Sequence, residues 1–146
     1  MDYLYSLGIL LLDLLTRLAA LFNPKAKEFV NGRHNIFSKI SKSFQNEKGP
    51  IIWIHCASLG EFEQGRPLIE RFKETYPSYK ILLTFFSPSG YEAKKNYSKA
   101  DYIFYLPWDT KGNAKKFIEL TKPQLAIFVK YEFWHNYTKC LAQQGI

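Results

Sequence analysis

Four short apolar runs, Ile51–Cys56, Lys80–Phe86, Tyr102–Leu106 and Leu125–Val129, constrain the fold of this chain more than any other feature. Each is rich in β-branched or aromatic residues, which suits a strand. They do not alternate apolar with polar positions, so both faces of the sheet they form need cover. The segments between them carry helical periodicity: Phe62, Gly65, Leu68, Ile69 and Phe72 fall on one stripe, Ala114, Phe117, Ile118 and Thr121 on a second, Trp134, Tyr137 and Leu141 on a third. Thr75–Ser78 and Thr121–Gln124, each with a proline, punctuate the returns from helix to strand. Buried strands alternating with helices predict an open parallel sheet, an α/β domain of Rossmann type. A length of 146 residues supports one such domain with one core.

Before Gly49-Pro50 the chain reads differently. Tyr3 to Phe22 is leucine-rich and closes at Asn23-Pro24, which predicts one helix about 30 Å long, the thickness of a bilayer core. Asp13 and Arg17 interrupt it, each costing ~2.5–3.5 kcal/mol near the centre of a spanning helix, although a spacing of four lets them pair. Three readings follow: a spanning anchor, a helix lying in the membrane interface, or a helix packed on the protein's own body. Asp2 and the absence of lysine or arginine ahead of the apolar stretch disfavour a cleaved signal peptide. Residues 25–49 follow as a basic connecting segment, six lysines and arginines against two glutamates, and basic residues beside an anchor mark the cytoplasmic side. The net charge of +7 points to an anionic partner. Residues 1–24 are thus expected to be the membrane element and residues 50–146 the Rossmann-like domain.

Composition also excludes classes of function. Cys56 and Cys140 stand far apart, without the spacing of a zinc site or a disulfide framework, and the three histidines are scattered. No metal and no cofactor is expected. Gly60 and Gly65 lack the spacing of a dinucleotide fingerprint, which disfavours nicotinamide and flavin enzymes. No basic stripe or ribonucleoprotein-type stacking pattern points to nucleic acid.

In open α/β sheets ligands bind beyond the carboxyl ends of the strands, so the loops after the four runs carry the candidates. Glu61 opens the first helix behind Gly60, where a carboxylate either satisfies the helix terminus or acts as a general base on a hydroxyl. Ser87, Ser89 and Gly90, with Pro88 at a first helical turn, suit a phosphate or sulfate, and helix capping explains the same residues. Lys130 and Glu132 lie beside Trp134 and His135, a mixture of charge and rings suited to a sugar or its phosphate, with Trp134 expected in the core.

These loops resemble those of a known family. Ile54–Glu61 is similar to the H-x-x-S-x-G-E stretch of bacterial 3-deoxy-D-manno-octulosonic acid (Kdo) transferases, and Thr84–Gly90 resembles their T-x-T-x-T-G loop. Tyr105–Asp109 resembles their Y-L-P-x-D, and Glu132–Asn136 their E-L-W-P-N turn. The resemblance implies the N-terminal, acceptor-side half of a GT-B glycosyltransferase, inverting and metal-independent, with CMP-Kdo as donor and an anionic lipid A precursor as acceptor at the cytoplasmic face of the inner membrane. By it, Glu61 is the general base, Glu132 a second functional carboxylate, and Ser58, Gly60, Ser89 and Gly90 shape the acceptor cleft. Lys130 stands where the family often has an acidic residue, and His135 replaces its usual proline. The chain is expected to stop short of a donor-binding domain and to transfer no sugar alone. Two alternatives remain open at this point: the same fold with a UDP-sugar donor, and a non-catalytic adaptor at a membrane surface.

Overall fold

The computed structural model describes residues 2–146. Among them one parallel sheet is built from β1 (Ile51–Cys56), β2 (Lys80–Phe85), β3 (Tyr102–Tyr105) and β4 (Pro123–Phe128), in the order β3-β2-β1-β4. Three helices precede it: α1 (Asp2–Ala19), α2 (Pro24–Gly32) and α3 (Ile36–Phe44). Four more, α4 (Leu59–Thr75), α5 (Pro88–Lys94), α6 (Lys111–Thr121) and α7 (His135–Gln143), connect or follow the strands. The Rossmann-like expectation is met, and the strand bounds agree with the sequence reading within two residues.

Burial follows the pleat. Ile51 and Trp53 of β1 face a cluster that takes in Ile36, Ile40 and Phe44 of α3, Ala114, Phe117 and Ile118 of α6, and Tyr137 and Leu141 of α7. Ile52, Ile54 and Cys56 face the other way, onto Phe62 and Ile69 of α4. Each fully buried isoleucine or phenylalanine side chain among them contributes ~1.5–3 kcal/mol. Every residue of β1 is buried, whereas β4 lies at an edge and leaves Leu125 41% exposed. Leu68, read as part of the α4 stripe, is 38% exposed at its border.

The N-terminal third differs from the sequence reading in two respects. First, α1 ends at Ala19, and among the described residues no helix is long and apolar enough to cross a membrane, so the spanning anchor is not found. Asp13 and Arg17 account for this and bond each other at 3.0 Å along one side of the helix. Instead α1 rests on the body through a narrow stripe that includes Tyr5 and the buried Ile9, while Leu4, Leu7, Leu10, Leu11, Leu14, Leu15 and Leu18 stay exposed. Second, residues 25–49 are folded rather than a simple connection. Asn23 caps α2, accepting from the Lys25 and Ala26 amides with Pro24 in the first turn, and α3 buries Ile36, Ile40 and Phe44 at a spacing of four.

One buried carboxylate joins the two ends of the chain. Asp109, in the loop after β3, accepts the amides of Asn136 (3.1 Å) and Tyr137 (3.0 Å) at the start of α7 and the hydroxyl of Tyr5 from α1 (2.6 Å). A carboxylate is favoured there because the first amides of α7 lack partners within their own helix. Replacing Asp109 by Ala leaves those donors buried and unmet, and should lower stability by ~3 kcal/mol. Tyr5→Phe should cost ~1 kcal/mol, both read from the urea unfolding midpoint.

Candidate functional site

The chain passes from β1 outward through β2 to β3, then α6 returns it across the sheet to set β4 on the opposite side of β1. The strand order therefore reverses between β1 and β4, where open α/β sheets hold their ligands. Two glycines allow the loops to approach there. A side chain at Gly65 would meet Val129 Cγ2 at 3.0 Å and Cys56 Sγ at 3.4 Å, so its absence lets α4 lie against the ends of β1 and β4. A Cβ at Gly90 would fall 2.3 Å from the Phe85 ring and 3.0 Å from the Ser58 carbonyl carbon. Gly90 is buried and acts as a spacer that seats α5 against the Ser58 loop. The Ala57 carbonyl clamps the same junction, accepting the amides of Phe86 (3.2 Å) and Ser87 (2.8 Å).

Glu61 sits three residues after the helix-initiating Ser58. In a capping box the Ser58 hydroxyl would bond a helix amide, yet it makes no such bond and donates to Glu61 Oε2 instead. The other oxygen, Oε1, lies 3.6 Å from Lys130 Nζ, across the gap between the ends of β1 and β4. The Ser58 hydroxyl, then the Glu61 backbone amide, and after them the Lys130 ammonium hold this carboxyl below the ordinary glutamate value, against the opposing effect of burial. Its side chain is 19% exposed. Lys130 reaches it from a left-handed backbone conformation, φ 63°, that turns the chain sharply after β4. Gly60, between Ser58 and Glu61, has only the Ser58 Oγ within 4 Å of an added Cβ, so its role there is an open approach rather than a contact.

Glu132 lies on the same turn, with Oε2 3.8 Å from His55 Nε2. Sequence reasoning passed over His55. It is fully buried, bonds Thr84 Oγ1 through Nδ1 at 2.9 Å, and accepts the Trp134 indole N–H at Nε2, 3.2 Å away. Thr84 Oγ1 also accepts the Trp53 indole N–H at 2.8 Å. Burial holds the imidazole below its ordinary pKa against the pull of Glu132. The signal was available: His55 follows Trp53 by two residues, which puts both on one face of β1. Trp134, expected in the core, is half-buried and packs on Phe86, ring centres 4.6 Å apart.

Further polar side chains lie along the same edge of the sheet. The Ser87 and Ser89 hydroxyls bond each other at 2.8 Å, and Ser87 makes no side-chain cap. Burial pushes the Cys56 thiol up to about 12, with the Glu61 charge adding to the shift, so no thiolate nucleophile forms near neutrality. Arg33, counted in the sequence among the basic residues of segment 25–49, donates to the carbonyls of Leu106 (2.9 Å), Phe86 (2.7 Å) and Phe29 (3.1 Å). Its guanidinium lies 3.7 Å from the centre of the Phe29 ring. Burial lowers it to about 9, and it remains a cation at neutral pH, pinning α2 to the carboxyl ends of β2 and β3. Among the described residues no group of three or more His, Cys, Asp or Glu side chains converges as a metal site.

The family model described as 3-deoxy-D-manno-octulosonic-acid transferase (kdotransferase) matches residues 31–146, which include every site residue above. The chain belongs to this family, in its N-terminal domain. A Kdo transferase of Aquifex aeolicus is 40% identical over 94 residues, 64% of this chain and 26% of that protein. The Kdo transferase of Haemophilus influenzae is 35% identical over 86 residues, 58% of this chain and 20% of its own length. A protein of Fusobacterium nucleatum named as a bifunctional glycosyltransferase/methyltransferase is 33% identical over 133 residues, 85% of this chain and 20% of that protein. The chain thus spans about a fifth to a quarter of the curated relatives it matches. No solved structure matches it.

In this Kdo transferase domain the Glu61 carboxyl should titrate below the ordinary glutamate value of 4.5. Its ionised form is then present above that lowered pKa and is lost as the pH falls through it. Ser58→Ala removes the first cause of the shift, so the inflection should move upward, as read by 13C NMR titration of the Glu61 side chain.

Proposed function

We propose that this chain is the acceptor-side half of a GT-B glycosyltransferase that moves Kdo from CMP-Kdo to an anionic lipid A precursor. The observation that carries the reading is the position of Glu61. It stands at the reversal point of the sheet, tied to Ser58 and facing Lys130 at 3.6 Å. Glu61 takes the proton of the acceptor hydroxyl as that oxygen bonds the anomeric carbon of Kdo, and the bond to CMP breaks with its electron pair leaving on the phosphate. Lys130 keeps Glu61 ionised and adds positive potential where two anionic substrates meet. Glu132 acts from the same turn, while Ser58, Gly60 and the Ser87–Gly90 loop form the wall of the acceptor cleft. The nucleotide is held by a second α/β domain.

A two-domain enzyme containing this chain should transfer Kdo from CMP-Kdo and fail with UDP-sugars; the opposite preference overturns the choice of donor. In that enzyme Glu61→Gln should lower kcat by about 10²–10⁴, since the amide keeps the size and loses the basicity. Activity within a few-fold of the unaltered enzyme would exclude Glu61 as the base.

The exposed leucines of α1 support placement at the cytoplasmic face of the inner membrane, with α1 lying in the interface and Lys25 and Lys27 just beyond it on the chain. Vesicles containing phosphatidylglycerol should bind the chain, and Leu11→Glu together with Leu15→Glu should abolish co-sedimentation while the thermal midpoint stays unchanged. Equal binding by the double variant would overturn the interfacial placement.

A further inference from the structure

The turn that carries Lys130 and Glu132 has little structure of its own. Within it the backbone bonds run from Phe133 N to the Tyr131 carbonyl (3.0 Å) and from Trp134 N to the Glu132 carbonyl (3.1 Å), and the Tyr131 and Phe133 rings are exposed. Both of its ends nevertheless close on a single residue of the central strand. The His55 carbonyl accepts the Val129 amide at 2.9 Å just before the turn, and the His55 ring accepts the Trp134 indole at its far end.

Indole nitrogen can only donate, so the His55 Nε2 at the other end of that bond must present a lone pair. The ring proton then sits on Nδ1 and goes to Thr84 Oγ1, whose place is fixed by the Trp53 indole from the same face of β1. The 3.2 Å contact with Trp134 outranks the 3.8 Å approach of Glu132 to the same nitrogen, so His55 and Glu132 do not form an ion pair. Burial of the whole ring, which disfavours its charged form, agrees with this assignment.

We propose that His55 is a positioning residue whose Nε2 lone pair anchors Trp134 and thereby holds the turn that carries Glu132 and sets Lys130 opposite Glu61. Only the activity arm of the test rests on the Kdo-transfer reading. In the 15N-labelled chain at neutral pH, His55 should show a pyrrole-type Nδ1 and a pyridine-type Nε2; the reverse tautomer or an imidazolium overturns the proposal. His55→Phe keeps the ring and removes the acceptor, and should shift the Trp134 indole N–H resonance and the amides of residues 130–133. In the complete enzyme the same variant should lower kcat by about 10²-fold, the size of effect expected when a catalytic constellation is displaced rather than dismantled. The KM for the donor should change by no more than about twofold. Trp134→Phe, which removes the donor without altering the buried imidazole, should give the same loss, and the double variant should be no worse than either. His55→Gln, whose amide oxygen can accept from Trp134, should recover part of the activity. Unchanged indole and turn resonances in His55→Phe, or additive losses in the double variant, would overturn the role; absence of Kdo transfer by the unaltered enzyme would overturn the functional reading and leave the resonance test standing.

Discussion

The arrangement of this molecule depends on the pairing of β1 with β2 on one side and β4 on the other, in parallel. Because β4 is reached by a return across the sheet, the loops after β1 and β4 become neighbours although some 70 residues separate them. That adjacency brings Lys130 Nζ to 3.6 Å from Glu61. A sheet continued beyond β3 instead would have left the two residues three strands apart, and neither would have modified the chemistry of the other.

A second layer of constraint comes from buried polar groups, which hold loops at the carboxyl edge that apolar packing alone would leave loose. Asp109 meets the first amides of α7, Arg33 gathers carbonyls at the ends of β2 and β3, and Thr84 joins Trp53 to His55. Each is expensive to bury without partners and strongly directional with them, so each selects one position for its loop. Asp109 also reaches Tyr5, which makes α1 part of the same body as the candidate site. The helix with the exposed leucines is therefore fixed relative to the sheet edge where Glu61 lies.

Much of this was legible from the residues. The doubly apolar runs required a covered parallel sheet, and the stripe Ala114, Phe117, Ile118 and Thr121 is buried as its periodicity predicted. The loops after the strands were the right place to look because the rule concerns topology, which the strand–helix alternation already implied. Polar partnerships were less legible. Asp109 read as one member of a loop motif, Arg33 as one charge in a basic segment, and His55 as a scattered histidine, since hydrogen bonding across tens of residues leaves no periodic trace in sequence. The N-terminal helix was legible in part: Asp13 and Arg17 already broke its apolar length, whereas the stripe through Tyr5 and Ile9 that rests on the body leaves no local mark in the sequence.

By itself the sequence determined the α/β class, the approximate strands and the chemistry available at their ends, because the period of apolar residues is a local record of which faces must leave water. Only the tertiary structure decided that Ser58 serves Glu61 instead of its helix, that Lys130 stands across from it, and that His55 closes the turn carrying Glu132. Those facts depend on which strand lies beside which and on where a few buried donors find acceptors, and such pairings are fixed by the packed whole.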